Sequence, residues 1–181
     1  MTEFTRYAFP PPSRNLERAA FFIAGQAFVA RSESFCVTRA VVVNDGREAW
    51  IDVEHPKLPA IGPLRGGDAI NARSIIHASL AGLAAQDAWG FGRYCRRFTF
   101  CNKTDFTTPA IWRAISLAGR IDTDGPPVLP PLWQEVQECL FTDQNWAAVT
   151  AVAETLIRDG ELIGAEIGEI VKAAISRASE C

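Results

Sequence analysis

Few side chains in this sequence could hold a metal or attack a carbonyl. There are two imidazoles, His55 and His77, and five cysteines, Cys36, Cys95, Cys101, Cys139 and Cys181. A zinc knuckle takes its thiolates as two closely spaced pairs, and the step from Cys95 to Cys101 is too long and has no second pair beside it. A Cys95/Cys101/His77 set is the metal site these residues would allow; reduced thiols are the plainer reading of an odd, scattered set. A thiol hydrolase needs a thiolate activated by a neighbouring base, and no cysteine here has a local signal of that kind. His77 lies in a mostly apolar stretch, where a hydrogen-bonded core or groove histidine is expected ahead of a catalytic base. Arg93, Arg96 and Arg97 stand among Phe91, Tyr94, Phe98 and Phe100 as the one basic-aromatic cluster. It reads as a solvated loop able to meet an acidic partner or a peptide groove.

The elements that must position these groups are legible from period and punctuation. Ser13, after Pro10 to Pro12, offers a cap for a helix over Arg14 to Arg31. Between Ala19 and Ala30 only Gly25 and Gln26 interrupt an apolar run, so this helix should be central to the core and Gln26 a hydrogen-bonded core amide. Cys36 to Val43 and Arg47 to Val53 flank Asn44-Asp45-Gly46 and predict a β-hairpin. Glu54 to Gly67 reads as a surface loop. Asp68 then caps a second helix, with Ile70, Ile75, Ile76, Leu80, Leu83 and Ala84 as its stripe, ending before Gly90. A third helix is predicted from about Phe106 to Arg120, with Asp105 as its N-terminal cap and Pro109 in the first turn. Ile121 to Pro131 is the strongest linker signal. Beyond it, Leu132 to Phe141, Asp143 to Arg158 and Ala165 to Ala178 predict an all-helical tail.

Bulk properties bound the function classes. A chain of 181 residues that is 48% hydrophobic can bury a real core. Its formal charge of -3 gives no positive field for nucleic acid and no basic cluster for anionic lipid. The run from Ala19 to Ala30 is far short of the roughly 20 residues of a bilayer crossing, and the segment Met1 to Arg6 lacks a signal-peptide core. A cytoplasmic location is therefore expected.

The order of these segments carries a resemblance. Phe22-Ile23-Ala24-Gly25-Gln26-Ala27-Phe28-Val29-Ala30 resembles the signature helix of the FtsH family of ATP-dependent zinc proteases, which reads His-Glu-Ala-Gly-His-Ala-Val-Val-Ala. Histidines at i and i+4 share one helix face and can both ligate zinc, while the Glu between them activates the metal-bound water. At those three positions this chain has Phe22, Ile23 and Gln26. Val37-Thr38-Arg39-Ala40-Val41 is similar to the family's following strand. Ala81-Gly82-Leu83-Ala84-Ala85-Gln86 through Trp89-Gly90 is similar to its second core helix, with Gln86 where the family has a Glu that supports the metal site. Asn102-Lys103-Thr104-Asp105 resembles the Asn-Asp that precedes its next helix, so the resemblance makes Asp105 the vestige of the third zinc ligand. Leu162-Ile163-Gly164-Ala165-Glu166-Ile167 looks like the family's Leu-x-Gly-x-Glu-Ile. A Walker phosphate loop and a membrane anchor are not found in the sequence.

The expectation is a mainly helical α+β domain with an FtsH-peptidase-like core over 1–120, a small β-hairpin, a linker over 121–131 and a C-terminal helical hairpin over 132–181. The resemblance implies a pseudopeptidase, with no zinc expected, whose old cleft, plugged by Phe22 and Ile23, docks a protein or peptide partner or a second copy. His77, Arg93, Arg96 and Arg97 are its candidate contacts. The rival reading is an active hydrolase built on Asp105 and His77 or on a cysteine; a third is a structural oligomerisation module.

Overall fold

The computed structural model describes residues 2–9, 16–91, 109–121 and 129–180. In chain order the elements are β1 (Thr2–Phe9), α1 (Leu16–Ser32), β2 (Cys36–Val43), β3 (Glu48–Pro56), α2 (Gly66–Phe91), α3 (Pro109–Ala118), α4 (Leu129–Leu140), α5 (Asp143–Asp159), β4 (Glu161–Ile163) and α6 (Gly164–Ser179). The result is a mainly helical α+β fold around one small antiparallel sheet of strand order β1-β3-β2-β4.

Helix α1 is the centre. Twelve consecutive residues, Ala19 to Ala30, are buried, because α2 and α5 cover two sides and β2 and β3 a third. An apolar helix can bury its whole circumference only when neighbours surround it, which is what the sequence pattern demands. The same apolar cluster takes in Leu132 and Val136 of α4, Leu156 of α5 and Ile167 of α6, so residues on both sides of the 121–131 segment share one core.

The hairpin β2–β3 turns through Asp45 and Gly46, both at positive φ (56° and 80°), which Asp tolerates and Gly adopts at no steric cost. Two further strands extend it. β1 lies antiparallel along the whole of β3, and β4 pairs with β2 through Arg39, Ala40 and Val41. The outer face carries one charge from each strand in spatial order: Arg6, Asp52, Arg39, Glu161. Arg6 Nε donates to Asp52 Oδ1 at 2.7 Å, and Arg39 Nη2 to Glu161 Oε2 at 2.8 Å. Opposite charges on neighbouring strands favour this register.

Several boundaries differ from the sequence reading. β3 continues to Pro56, into the segment read as loop. Asp68 lies inside the first turn of α2, not at its cap, where its charge complements the helix dipole. Gly90 does not stop α2, which runs on to Phe91. Pro109 opens α3, as its missing N–H allows. Pro130 and Pro131, read as linker, occupy the first turn of α4, where amides have no intrahelical acceptor to lose. The tail is not all helical, since β4 separates α5 from α6. Gly160 ends α5 in the left-handed region, φ 77°, with its N–H on the Leu156 carbonyl at 2.9 Å.

Candidate functional site

Phe22, Ile23 and Gln26, the three positions that the resemblance aligns with ligand, base and ligand, are 0%, 0% and 2% exposed. They sit where α1 crosses α2 at backbone contact. A Cβ on Gly25 would fall 2.5 Å from the Ala81 carbonyl oxygen and 2.5 Å from Ala85 Cβ. One on Gly82 would fall 2.9 Å from both the Phe22 carbonyl oxygen and Gln26 Cγ. Two glycines, one on each helix, are therefore what let the helices meet, and Phe22 and Gln26, one turn apart on one face, close over Gly82. Zinc does not fit these residues. A phenyl and a sec-butyl group bring no lone pair, and a carboxamide is a poor zinc ligand. A catalytic zinc also needs one position open to water or substrate, which a buried seam lacks. Phe22 and Ile23 are not a plug at a cleft mouth, as the sequence reading had it; they are inside the core.

Gln26 corrects another expectation. Neither Oε1 nor Nε2 of its amide has a hydrogen-bond partner among the described residues. A buried amide normally finds one, and leaving it unmade costs about 1–3 kcal/mol. Gln86, by contrast, is satisfied: with its amide oxygen turned toward Arg18, as the hydrogen-bond network requires, it accepts from Arg18 Nε at 2.7 Å and also from Nη2. Arg18 and Gln86 thus tie the N-terminal turn of α1 to α2.

At the opposite end of the same helix pair the chemistry is reversed. His77 Nδ1 faces Glu33 Oε1 at 2.8 Å, and Nε2 faces Glu135 Oε2 at 3.0 Å. Ser74 Oγ donates to the other Glu33 oxygen at 2.5 Å, and Arg73 Nη2 to Glu135 Oε1 at 3.1 Å. Cys139 joins the edge of this array, its thiol pushed up by burial and then by the Glu33 charge. His77 is largely enclosed, 17% exposed at its side chain, with both ring nitrogens facing carboxylates. A general base in a triad needs one nitrogen on an orienting acid and the other on the nucleophile, so this arrangement is not a triad. The two carboxylates also lie on opposite nitrogens and cannot converge on one ion. Among the described residues, no three His, Cys, Asp or Glu groups come together to hold a metal.

The other imidazole has a different role. His55, 1% exposed, donates from Nδ1 to the Pro56 carbonyl at 2.9 Å and accepts at Nε2 from Arg113 at 2.9 Å. That pattern fixes the neutral ring. Burial first, and Arg113 in addition, hold its pKa below the usual imidazole value against the Pro56 bond.

The Leu-x-Gly-x-Glu-Ile segment is explained by packing throughout. Leu162 and Ile167 are buried. A Cβ on Gly164 would land 1.8 Å from the Val37 carbonyl oxygen. Glu166 Oε2 accepts from the Ile163 amide at 2.9 Å and so caps α6. Gly164 thus lets α6 approach β2, and Glu166 caps the helix.

Asp105, Arg93, Arg96, Arg97, Cys95 and Cys101 lie outside the described residues. Sequence reasoning missed Glu33 and Glu135 as partners of His77 and Ser74 as the donor to Glu33; only the Ser74–His77 spacing on one helix face was a local signal. No helix among the described residues is long and apolar enough to cross a membrane. A scan against protein-family models finds no match to the chain, and a search of curated proteins finds none either.

Proposed function

We propose that this chain is a catalytically inactive homologue of the FtsH-type zinc peptidase domain, acting in the cytoplasm as a binding or regulatory protein for a protein or peptide partner. One observation carries the reading. The positions that would bind zinc and activate water, Phe22, Ile23 and Gln26, are buried side chains at a helix crossing, while the glycines that permit the crossing, Gly25 and Gly82, are retained. Substitution has removed the chemistry and kept the packing. The charge of -3 supports a protein partner over nucleic acid. A fold preserved without its chemistry is used through its surface, and with Phe22 and Ile23 inside the core that surface lies away from the motif.

The test is metal analysis of the purified chain together with an assay on an unfolded protein substrate, with and without added zinc. The expected result is no stoichiometric zinc and no cleavage. About one equivalent of tightly held zinc, lost on Asp105→Ala, would overturn the reading. Cleavage abolished by thiol alkylation would overturn it in favour of a cysteine hydrolase.

A further inference from the structure

The Glu33–His77–Glu135 array has a property that neither packing nor a degenerate peptidase site accounts for. A neutral imidazole has one N–H to donate and one lone pair. Here each ring nitrogen faces a carboxylate oxygen at hydrogen-bond distance, 2.8 Å and 3.0 Å, and ionised carboxylates only accept. Both contacts are hydrogen bonds only when the ring carries two N–H groups. We propose that His77 is a proton-operated tie that fastens the C-terminal end of α1 and the face of α4 to α2 when it is doubly protonated, and releases Glu135 when it loses one proton.

The surroundings set which contact gives way. On α2, Ser74 holds the second oxygen of Glu33 and Arg73 that of Glu135. Just past the end of α1, Glu33 is the charged group facing the ring. On α4 there are Glu135 and, beside Glu33, the Cys139 thiol, which burial keeps protonated, so that it adds no charge of its own near neutral pH. Glu33 is 27% exposed and Glu135 44%. A ring with one N–H keeps it on the more enclosed Glu33. The Nε2 lone pair then opposes the Glu135 oxygen, and Glu135 turns to Arg73 and water. Helix α4 stays seated, because Leu132, Trp133, Val136 and Leu140 are buried beneath it and their apolar burial outweighs one half-exposed contact. The device therefore tunes how firmly α4 is held. His55, neutral and buried, is the internal contrast.

Equilibrium unfolding of the whole chain and of His77→Gln tests this at about pH 6 and about pH 8.5, on either side of the ordinary imidazole range. The variant is expected to lose about tenfold in the folding equilibrium constant at the lower pH and about twofold or less at the higher. An equal loss at both would overturn the proposal, leaving His77 a pH-independent spacer. Imidazole nitrogen NMR of the unaltered chain gives a second readout should His77→Gln fail to fold. The tie requires an N–H on each His77 nitrogen at about pH 6, because each faces a carboxylate, while His55 shows Nδ1–H alone. A His77 ring with a single N–H at that pH would also overturn it.

Discussion

The two ends of the α1–α2 pair are built on opposite physical terms. At the Gly25–Gly82 crossing the helices touch backbone to backbone, Phe22 and Ile23 have no exposed surface, and the one polar side chain, Gln26, is unpartnered among the described residues. At the other end, Glu33, Ser74, His77, Arg73 and Glu135 satisfy one another in a chain of hydrogen bonds at the protein surface. The end that resembles a catalytic motif has no group placed to do chemistry; the end with placed, titratable groups lies outside that motif. Resemblance along a helix is therefore no guide to chemistry, and function must be argued from the side chains present.

That contrast breaks most visibly if a charge enters the crossing. Ile23→Glu restores the residue type the resemblance would call a general base, yet it places a carboxyl at a position with no exposed surface. A loss of more than about 4 kcal/mol is expected in denaturant unfolding. A folded, near-normal variant would mean that the position opens to solvent. Gly25→Val tests the geometry of the seam: a Cβ meeting Ala81 and Ala85 at 2.5 Å forces the helices apart, for a loss of about 3 kcal/mol. Smaller again is the pH dependence from His55. Its folded pKa is lowered, so at pH below about 6.5 the unfolded chain binds a proton that the folded chain refuses. His55 therefore contributes a fall in stability as pH drops through that range, and His55→Gln is expected to remove that contribution; a slope unchanged in that variant would contradict the assignment.

The helices were legible because their signals are local. The uninterrupted apolar run from Ala19 to Ala30 announced a helix buried all round, Gly160 marked a helix end, and Asn44-Asp45-Gly46 marked the hairpin. The outer strands were not legible. In β1 the charged Arg6 interrupts the alternation, and only its partner Asp52, on another strand, explains it. β4 has three residues, too few for a period, and exists because β2 offers it a ladder. The His77 array was hidden for the same reason: Glu33 and Glu135 lie 44 and 58 residues away in sequence, and separations of that size leave no spacing pattern to read. That the Gln26 amide finds no partner among the described residues was equally invisible, since it depends on what its neighbours in space present.

The account's central claim, that the motif positions of α1 serve packing and not chemistry, is tested most directly by the unfolding free energy of Gln26→Met. Methionine keeps the length and flexibility of glutamine and removes both unpartnered polar atoms. If the crossing is only a core, the variant is expected to be more stable by about 1–2 kcal/mol. A loss of about 1 kcal/mol or more would mean that the Gln26 amide has hydrogen-bonded partners and a task of its own, and would contradict the claim.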